Sequence, residues 1–124
     1  MVQINTQDLL NQWEESYKKG LLSFWILFSL TQRSMYAYEM KEEIIKFSQG
    51  SISADDNSIY RALRRFTTAG LIEGMMSPSP SGPDRKYFSL TPRGTDLLRQ
   101  FIERNILVFQ SEDLIKVIQS YLSQ

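Results

Sequence analysis

The sequence of 124 residues contains no cysteine and no histidine. Without cysteine there is no disulfide and no sign of an oxidising compartment, so we expect a cytoplasmic protein held together by its core. The two absences exclude thiol chemistry and histidine-based triads, and they leave zinc without its usual ligands. Acidic side chains occur in pairs, but on predicted helix faces away from any glycine-rich loop. We therefore predict no enzyme activity, no metal and no cofactor.

A long hydrophobic run is also missing. The most apolar stretch covers residues 21–30, whereas a membrane-spanning helix needs roughly 20 apolar residues. It follows an acidic segment and precedes no small-residue cleavage site, which argues against a signal peptide. We predict a buried central helix and no membrane partner. Gly20, just before it, either breaks the helical run or merely loosens it.

Excess charge of either sign is absent, since 14 basic and 14 acidic residues give a net charge of zero. Simple electrostatic attraction of the whole chain to nucleic acid is therefore not expected. The distribution is uneven, however. Residues 61–93 carry six basic and two acidic side chains, hence +4, which leaves −4 on the remainder. A basic surface on an otherwise acidic body is compatible with DNA binding.

The most informative stretch covers residues 53–72, which are predicted to form one helix with a sequence signal at each end. Ser53 is predicted to cap the start, with Asp56 completing a capping-box-like pair, and Gly70 is predicted to end the helix. At about 100° per residue the apolar side chains fall on one narrow side. That side carries Ile59, Ala62, Leu63 and Phe66.

The opposite side of this helix is polar and basic. Arginine offers a planar fork of donors that suits guanine edges and phosphates, and asparagine, serine and threonine can contact bases or phosphates. The pattern indicates a DNA recognition helix, although a plain solvated helix face is also rich in such residues. The polar side carries Asn57, Arg61, Arg64 and Thr68, flanked by Tyr60 and Arg65.

A hairpin is predicted to follow this helix. Residues 71–76 and 85–90 suit two strands, and the proline- and serine-rich residues 77–83 between them are predicted to be irregular. A helix followed by such a hairpin is the layout of a winged helix-turn-helix, with Arg85 and Lys86 at the base of the wing. The preceding helix, residues 35–47 with Ser34 as its cap, could touch the DNA backbone near Tyr36 and Tyr38.

Both ends of the chain have apolar helical patterns with no obvious partner. Asn5 or Thr6 is predicted to cap a first helix that packs either on a second chain or on its own core. Thr91 and Pro92 open a helix with a broad apolar band, and Ser111 caps a last short one. A two-fold dimer would cover these faces. The predicted interface comprises Leu9, Trp13, Leu97, Phe101, Ile102, Val108, Phe109, Leu114 and Ile118.

Together these patterns predict a mainly α protein with a small β-hairpin, a winged helix-turn-helix with additional N- and C-terminal dimerisation helices. Residues 1–19 would form an N-terminal helix at the dimer contact. Residues 20–91 would form the DNA-binding domain, and residues 92–124 the C-terminal dimerisation helices.

Three segments carry a resemblance to a known family. They read MYAYEM, SIYRALRRFTTAGLIEG and GPDRKYFSLTPRG, and the match runs from about Lys19 to Leu98. In this order they resemble the PadR family of bacterial transcriptional regulators, in its compact branch. The resemblance implies a homodimeric winged-helix repressor that often responds to a small aromatic effector. Its recognition helix would enter the major groove, and its wing would contact the backbone or minor groove.

The resemblance also implies site residues by position. Ser58, Tyr60 and Arg65 fall in the recognition motif, and Tyr38 in the tyrosine motif of the preceding helix. In the wing motif fall Arg85, Lys86 and Tyr87.

The sequence departs from the family in two places. Where the family often has Pro-Gly-Thr before the Leu-Tyr pair, this chain has Asp56-Asn57-Ser58. It also has Arg61 where a proline often follows. Asp55 and Asp56 would therefore approach DNA phosphates unless they serve as caps. The long helix after Leu90 has no tryptophan, so the family's aromatic drug pocket does not transfer.

We predict a homodimer that binds an inverted repeat in double-stranded DNA and represses transcription, with release by a small aromatic effector. Two other functions fit the sequence: a winged-helix module that binds protein, and a ligand-binding module with Trp13, Trp25 and Phe101 lining a pocket. The predicted DNA contacts are Tyr38, Asn57, Ser58, Tyr60, Arg61, Arg64, Arg65, Arg85, Lys86 and Tyr87.

Overall fold

The computed structural model describes residues 3–124. Its helices and strands follow one another along the chain as α1 (Thr6–Ser29), α2 (Ala37–Phe47), α3 (Asp56–Thr68), β1 (Ile72–Ser79), β2 (Gly82–Leu90), α4 (Pro92–Phe101) and α5 (Glu112–Leu122). Between α4 and α5 the chain makes a π-helical turn, Ile102–Ile106, and a 3-10 turn, Leu107–Gln110. The predicted mainly α fold with one hairpin is confirmed.

Helix α1 is continuous through Gly20. The prediction of a separate helix over residues 1–19 is therefore wrong, because that boundary falls inside α1. A glycine in a helix costs about 1 kcal/mol relative to alanine, whereas an exposed ion pair one turn apart stabilises a helix by about 0.3–0.5 kcal/mol. Ion pairs one turn apart join Lys18 to Glu14 at 3.4 Å and Lys19 to Glu15 at 3.5 Å. The start is capped as expected, since Asn5 Oδ1 accepts a hydrogen bond from the Gln7 amide at 2.7 Å.

The second half of α1 lies in the core, which confirms the predicted buried central helix. Ile26 and Leu27 are fully buried, together with Met40 of α2, Leu63 of α3 and Leu98 of α4. This core fixes α3 by its apolar side and leaves the opposite side free.

Helix α2 begins later than predicted, and Ser34 does not cap it. Met35 is extended and pairs with Phe88 of β2, through N–H···O bonds of 3.1 and 2.8 Å in the two directions. Tyr36 is the N-cap residue, and its amide donates to Glu39 Oε1 at 3.3 Å. A backbone pairing between residues more than fifty positions apart thus determines where α2 begins, and the cap predicted at Ser34 is not used.

Both ends of α3 are well defined. Asp55, not Ser53, is the N-cap, and its Oδ1 accepts from the Ser58 amide at 2.7 Å. The predicted cap is wrong because Ile52 is buried and its amide donates to Ser48 Oγ at 3.1 Å, so the chain is still a loop there. At the other end Gly70 adopts φ 75° and the Leu71 amide donates to the Phe66 carbonyl at 2.9 Å, as predicted.

The hairpin is longer than predicted. Its antiparallel register runs from Ile72 opposite Leu90 to Ser79 opposite Gly82, so the irregular segment predicted over residues 77–83 is wrong. The register shifts between Ser77 and Ser79, and Pro78 sits at this bulge. A proline is tolerated there because a two-stranded ribbon has free edges and its missing N–H breaks no ladder bond.

Thr91 joins the hairpin to α4. Its hydroxyl accepts from the Gly94 amide at 3.1 Å and donates to the Gly70 carbonyl at 2.6 Å, which confirms the predicted cap with Pro92 in the first turn. A side chain at Gly94 would collide with the Leu71 carbonyl oxygen. The predicted cap of the last helix is also confirmed, since Ser111 Oγ accepts from the Leu114 amide at 3.2 Å.

Candidate nucleic-acid interface

The outward side of α3 is the side predicted from helical periodicity. The four apolar residues of the inner side are buried, while Arg61, Arg64 and Arg65 are exposed. Tyr60 has 51% of its surface exposed, although its ring is largely apolar. Ser58 is half-buried, and its Oγ accepts from Arg61 Nη2 at 3.3 Å. The helix therefore presents guanidinium groups and hydroxyls outward from a rigid apolar base.

A groove of about 600 Å³ separates α3 from the hairpin. It brings together basic groups that are distant in sequence, namely Arg64 of α3 with Arg85 and Lys86 of β2. Aromatic rings and threonine hydroxyls complete its walls, and one carboxylate, that of Asp84, lies at the same place. The groove is lined by Tyr36, Ala37, Tyr60, Leu63, Arg64, Thr67, Thr68, Asp84, Arg85, Lys86 and Phe88.

The flank of α3 towards its C-terminus is a second, more open concavity of about 750 Å³. Arg61, Arg64 and Arg65 all line it, together with Thr68 and the buried Leu71. Arg64 therefore borders both concavities. The two together form one basic surface that runs along α3 and on to the hairpin, which is suited to a polyanion with hydrogen-bonding edges.

The two carboxylates at the start of α3 both have partners within the protein. The hydrogen bonds from Ser58 to the Asp55 carboxylate hold the pKa of Asp55 below its ordinary value, so this side chain stays an ionised cap. Asp56 forms an ion pair with Lys41 of α2, with Nζ and Oδ1 3.1 Å apart. Both carboxylates are thus engaged with the protein's own donors, Asp55 as the helix cap and Asp56 in an exposed ion pair.

Tyrosines cluster where α2 meets the hairpin. The Arg85 guanidinium lies over the Tyr36 ring, 4.6 Å from its centroid. The Tyr87 ring meets Tyr36 edge-on at 5.4 Å, and Tyr38 stacks on Tyr36 at 6.3 Å. The charge of the Glu42 carboxylate, together with a hydrogen bond to it, raises the pKa of the exposed Tyr38 phenol.

Four polar residues of the groove are absent from the DNA contacts predicted from the sequence, namely Tyr36, Thr67, Thr68 and Asp84. Thr67 lies three positions after Arg64 and so shares its side of the helix, a spacing that was visible in the sequence. The sequence placed Tyr36 only near the DNA backbone. Its neighbour Met35 pairs with Phe88 of the hairpin, which lies far along the chain. The position of Tyr36 follows from the Met35–Phe88 pairing, which no local pattern indicates.

The three aromatic residues of the predicted ligand pocket do not surround one cavity within a protomer. Trp13 is 74% exposed and lies twelve residues before Trp25 on α1, about 18 Å along the helix axis. Trp25 packs on the core, and Phe101 stacks on Phe24 at 5.9 Å. Within residues 3–124, the Trp25 Nε1–H is buried without a hydrogen-bond partner.

The predicted dimer residues fall into two groups. Phe101, Ile102 and Leu114 are half-buried within their own protomer. The others are exposed, and they share the surface with further apolar side chains of α1 and α5 that were not predicted, including Leu10, Tyr17, Val117, Tyr121 and Leu122. The exposed members of the predicted set are Leu9, Trp13, Leu97, Val108, Phe109 and Ile118.

Among residues 3–124, no three acidic side chains lie close enough together to hold a metal ion. None of the helices in the same residues is long and apolar enough to cross a membrane.

Helices α2 and α3 with the hairpin β1–β2 form a winged helix-turn-helix, in which α3 occupies the position of the recognition helix and the hairpin that of the wing. Residues 26–100 match the sequence profile of the transcriptional regulator PadR-like family. The match covers more than half of the chain, so the protein belongs to this family of transcriptional regulators, as its motifs predicted.

Solved structures agree with this assignment. A PadR-like transcriptional regulator from Bacillus cereus is 30% identical, with a TM-score of 0.65 over 86% of this chain and 95% of that one. A PadR family regulator from Eggerthella lenta has a TM-score of 0.69 over 94% of each chain at 22% identity, which shows a shared fold. Bacillus subtilis PadR, crystallised in complex with operator DNA, has a TM-score of 0.60 at 24% identity, over 66% of this chain and 46% of its own.

Proposed function

We propose that this regulator acts in the cytoplasm as a homodimer that binds an inverted repeat in double-stranded DNA and represses transcription. The observation that carries the proposal is the groove in which Arg64 of the recognition helix lies beside Arg85 and Lys86 of the wing. Bacillus subtilis PadR, which shares the fold, was crystallised in complex with operator DNA, and this supports DNA binding by the present chain.

The basic residues divide into two roles. Arg61 and Arg64 project from the middle of α3 and are the candidates for base edges, where a bidentate contact with guanine discriminates by about 1–3 kcal/mol. Arg65, Arg85 and Lys86 lie to the side and on the wing, and their main role is to hold phosphates. Around them lie the other proposed contacts, Tyr38, Asn57, Ser58, Tyr60 and Tyr87.

A second protomer would cover the apolar faces of α1 and α5. A single chain that leaves Trp13, Tyr121 and Leu122 about three-quarters exposed has an unpartnered surface, and a two-fold axis is the simplest way to bury it. Such an axis places two recognition helices about one helical turn of DNA apart, roughly 34 Å. A small aromatic effector between the protomers would act by favouring a spacing that no longer fits both half-sites.

A binding titration with matched variants tests this assignment. Purified protein is titrated into a labelled duplex of mixed sequence at about 50 mM and about 200 mM salt, where a DNA-binding protein with several phosphate contacts loses affinity steeply. On a second duplex, selected by the wild type from a random pool, Arg61→Ala and Arg64→Ala should weaken binding, and Arg99→Ala on α4 serves as the charge-matched control. Unchanged binding in both α3 variants would show that the roles are assigned wrongly. Absent DNA binding in an intact dimer would favour a protein-binding module.

A further inference from the structure

The start of α2 is fastened to the wing by backbone bonds. Met35 and Phe88 exchange two N–H···O bonds of 3.1 and 2.8 Å, so the segment before α2 lies beside β2. Met35 is fully buried and Phe88 nearly so. The next residue, Tyr36, is therefore held at a fixed place against the wing, and its amide is fixed in turn by Glu39 at 3.3 Å.

The Tyr36 side chain uses this fixed place to contact Arg85. The guanidinium lies 4.6 Å from the centre of the Tyr36 ring, and the Tyr87 ring meets Tyr36 edge-on at 5.4 Å. A contact with the face of a ring uses none of the N–H donors of a guanidinium, so these remain available for another partner. Within residues 3–124, Arg85 takes part in no ion pair, although Asp84 lines the same groove.

We propose that Tyr36 is a positioning residue for DNA binding, which holds the Arg85 guanidinium ready at the groove to donate to a DNA phosphate. This inference rests on the proposed function, because it assigns to Arg85 a phosphate partner. Tyr36 itself need not touch DNA. Without the ring, Arg85 keeps its charge but must be ordered when DNA binds, and ordering one such side chain weakens binding about three-fold to ten-fold.

Tyr36→Leu and Tyr36→Phe separate this role from a structural one. Tyr36→Leu removes the ring, whereas Tyr36→Phe keeps it and removes only the hydroxyl. Arg85→Ala and the double variant Tyr36→Leu/Arg85→Ala complete a double-mutant cycle. Lys46→Ala is the control, because Lys46 also lies over a ring, that of Phe47 at 6.0 Å, but outside the groove.

Each variant is titrated with a labelled mixed-sequence duplex across a series of salt concentrations. Tyr36→Leu should weaken binding about three-fold to ten-fold and keep the wild-type salt slope, since the charge remains. Arg85→Ala should lower the slope by about 0.9, the loss expected for one phosphate contact. Adding Tyr36→Leu to Arg85→Ala should cost nothing further, and Tyr36→Phe should regain most of the lost affinity.

A second readout needs no DNA. The Arg85 side-chain protons should show ring-current shifts in the NMR spectra of the wild type and of Tyr36→Phe, and these shifts should collapse in Tyr36→Leu. Unchanged shifts in Tyr36→Leu would overturn the inference, and so would losses that add up in the double variant. Both results leave the proposed function standing. If the wild type binds no duplex at low salt, the proposed function fails, and the role of Tyr36 towards DNA fails with it.

Discussion

Asp55 shows how one side chain can determine where the recognition helix begins. Its carboxylate accepts from the Ser58 amide at 2.7 Å, and this bond is the main reason that the pKa of Asp55 lies below its ordinary value of 3.8. A depressed pKa means that the ionised cap stabilises the fold above about pH 4 and that this stability is lost as pH falls through the folded-state pKa.

Asp55→Asn should remove this pH dependence while keeping a side chain able to cap. Between about pH 6 and about pH 3 the melting temperature of the wild type should fall further than that of the variant, because only the wild type loses an ionised cap. Asp113→Asn is the control: it removes a carboxylate from the first turn of α5, where Ser111 supplies the cap. Parallel curves of melting temperature against pH for the wild type and Asp55→Asn would show that ionisation of Asp55 does not contribute to the pH dependence of stability.

Two glycines give opposite expectations for the same substitution. A Cβ at Gly94 would collide with the Leu71 carbonyl, whereas a Cβ at Gly20 in the middle of α1 meets nothing within 4 Å. Gly94→Ala should therefore lower the free energy of unfolding by about 1–3 kcal/mol. Gly20→Ala should raise it by about 0.5–1 kcal/mol. Urea unfolding of both variants measures this, and equal effects would contradict the packing described around Gly94.

The caps and ends of helices could be predicted where they depend on residues nearby in the chain. Gly70 ends α3, Thr91 caps α4 and Ser111 caps α5, all as expected. Ser53 was the wrong cap because burial of Ile52, a tertiary contact, keeps the chain irregular until Asp55.

At the scale of elements, the recognition helix and the wing should affect DNA binding differently. Arg64→Ala should change which sequences are preferred, because a lost base contact costs about 1–3 kcal/mol only at the site it reads. Arg85→Ala should weaken all sequences alike and reduce the salt slope by about 0.9. Competition titrations with a selected site and a scrambled one distinguish the two, and a uniform loss in both variants would contradict the division of roles.

The apolar and polar sides of α3 could be read from periodicity alone, because the buried set repeats at helical spacing. The wing could not be read so well. Its prolines suggested an irregular segment, yet the bulge near Pro78 lets the strands continue to Ser79 and Gly82. Gly20 suggested a boundary within the first helical region, yet α1 continues through it.

At the scale of the whole molecule, exposed apolar side chains at both ends of the chain remain to be explained. Trp13 is the largest of them, and replacing it with a charge should prevent the proposed two-fold contact if that contact buries it. Trp13→Glu should shift the protein from dimer towards monomer in sedimentation equilibrium. Ile45→Ser on α2, which changes an exposed apolar residue outside the predicted interface, should leave the dimer intact. A dimer unaffected by Trp13→Glu would place the interface elsewhere.

The groove itself could not be predicted, because it depends on a contact between distant segments. Arg64 and Arg85 were each selected from local patterns, but the pairing of Met35 with Phe88, which sets the wing against the start of α2, joins residues far apart in the chain. Tyr36 remained unselected for the same reason.

If α3 and the wing form one DNA-reading surface that is repeated about a two-fold axis, the protein should select a palindrome. Duplexes are selected from a random pool by the purified full chain, and the bound fraction is sequenced at about 50 mM and about 200 mM salt. We expect an enriched palindrome with half-sites about 34 Å apart and an affinity that falls steeply with salt. No enriched duplex, even at the lower salt concentration, would contradict this expectation.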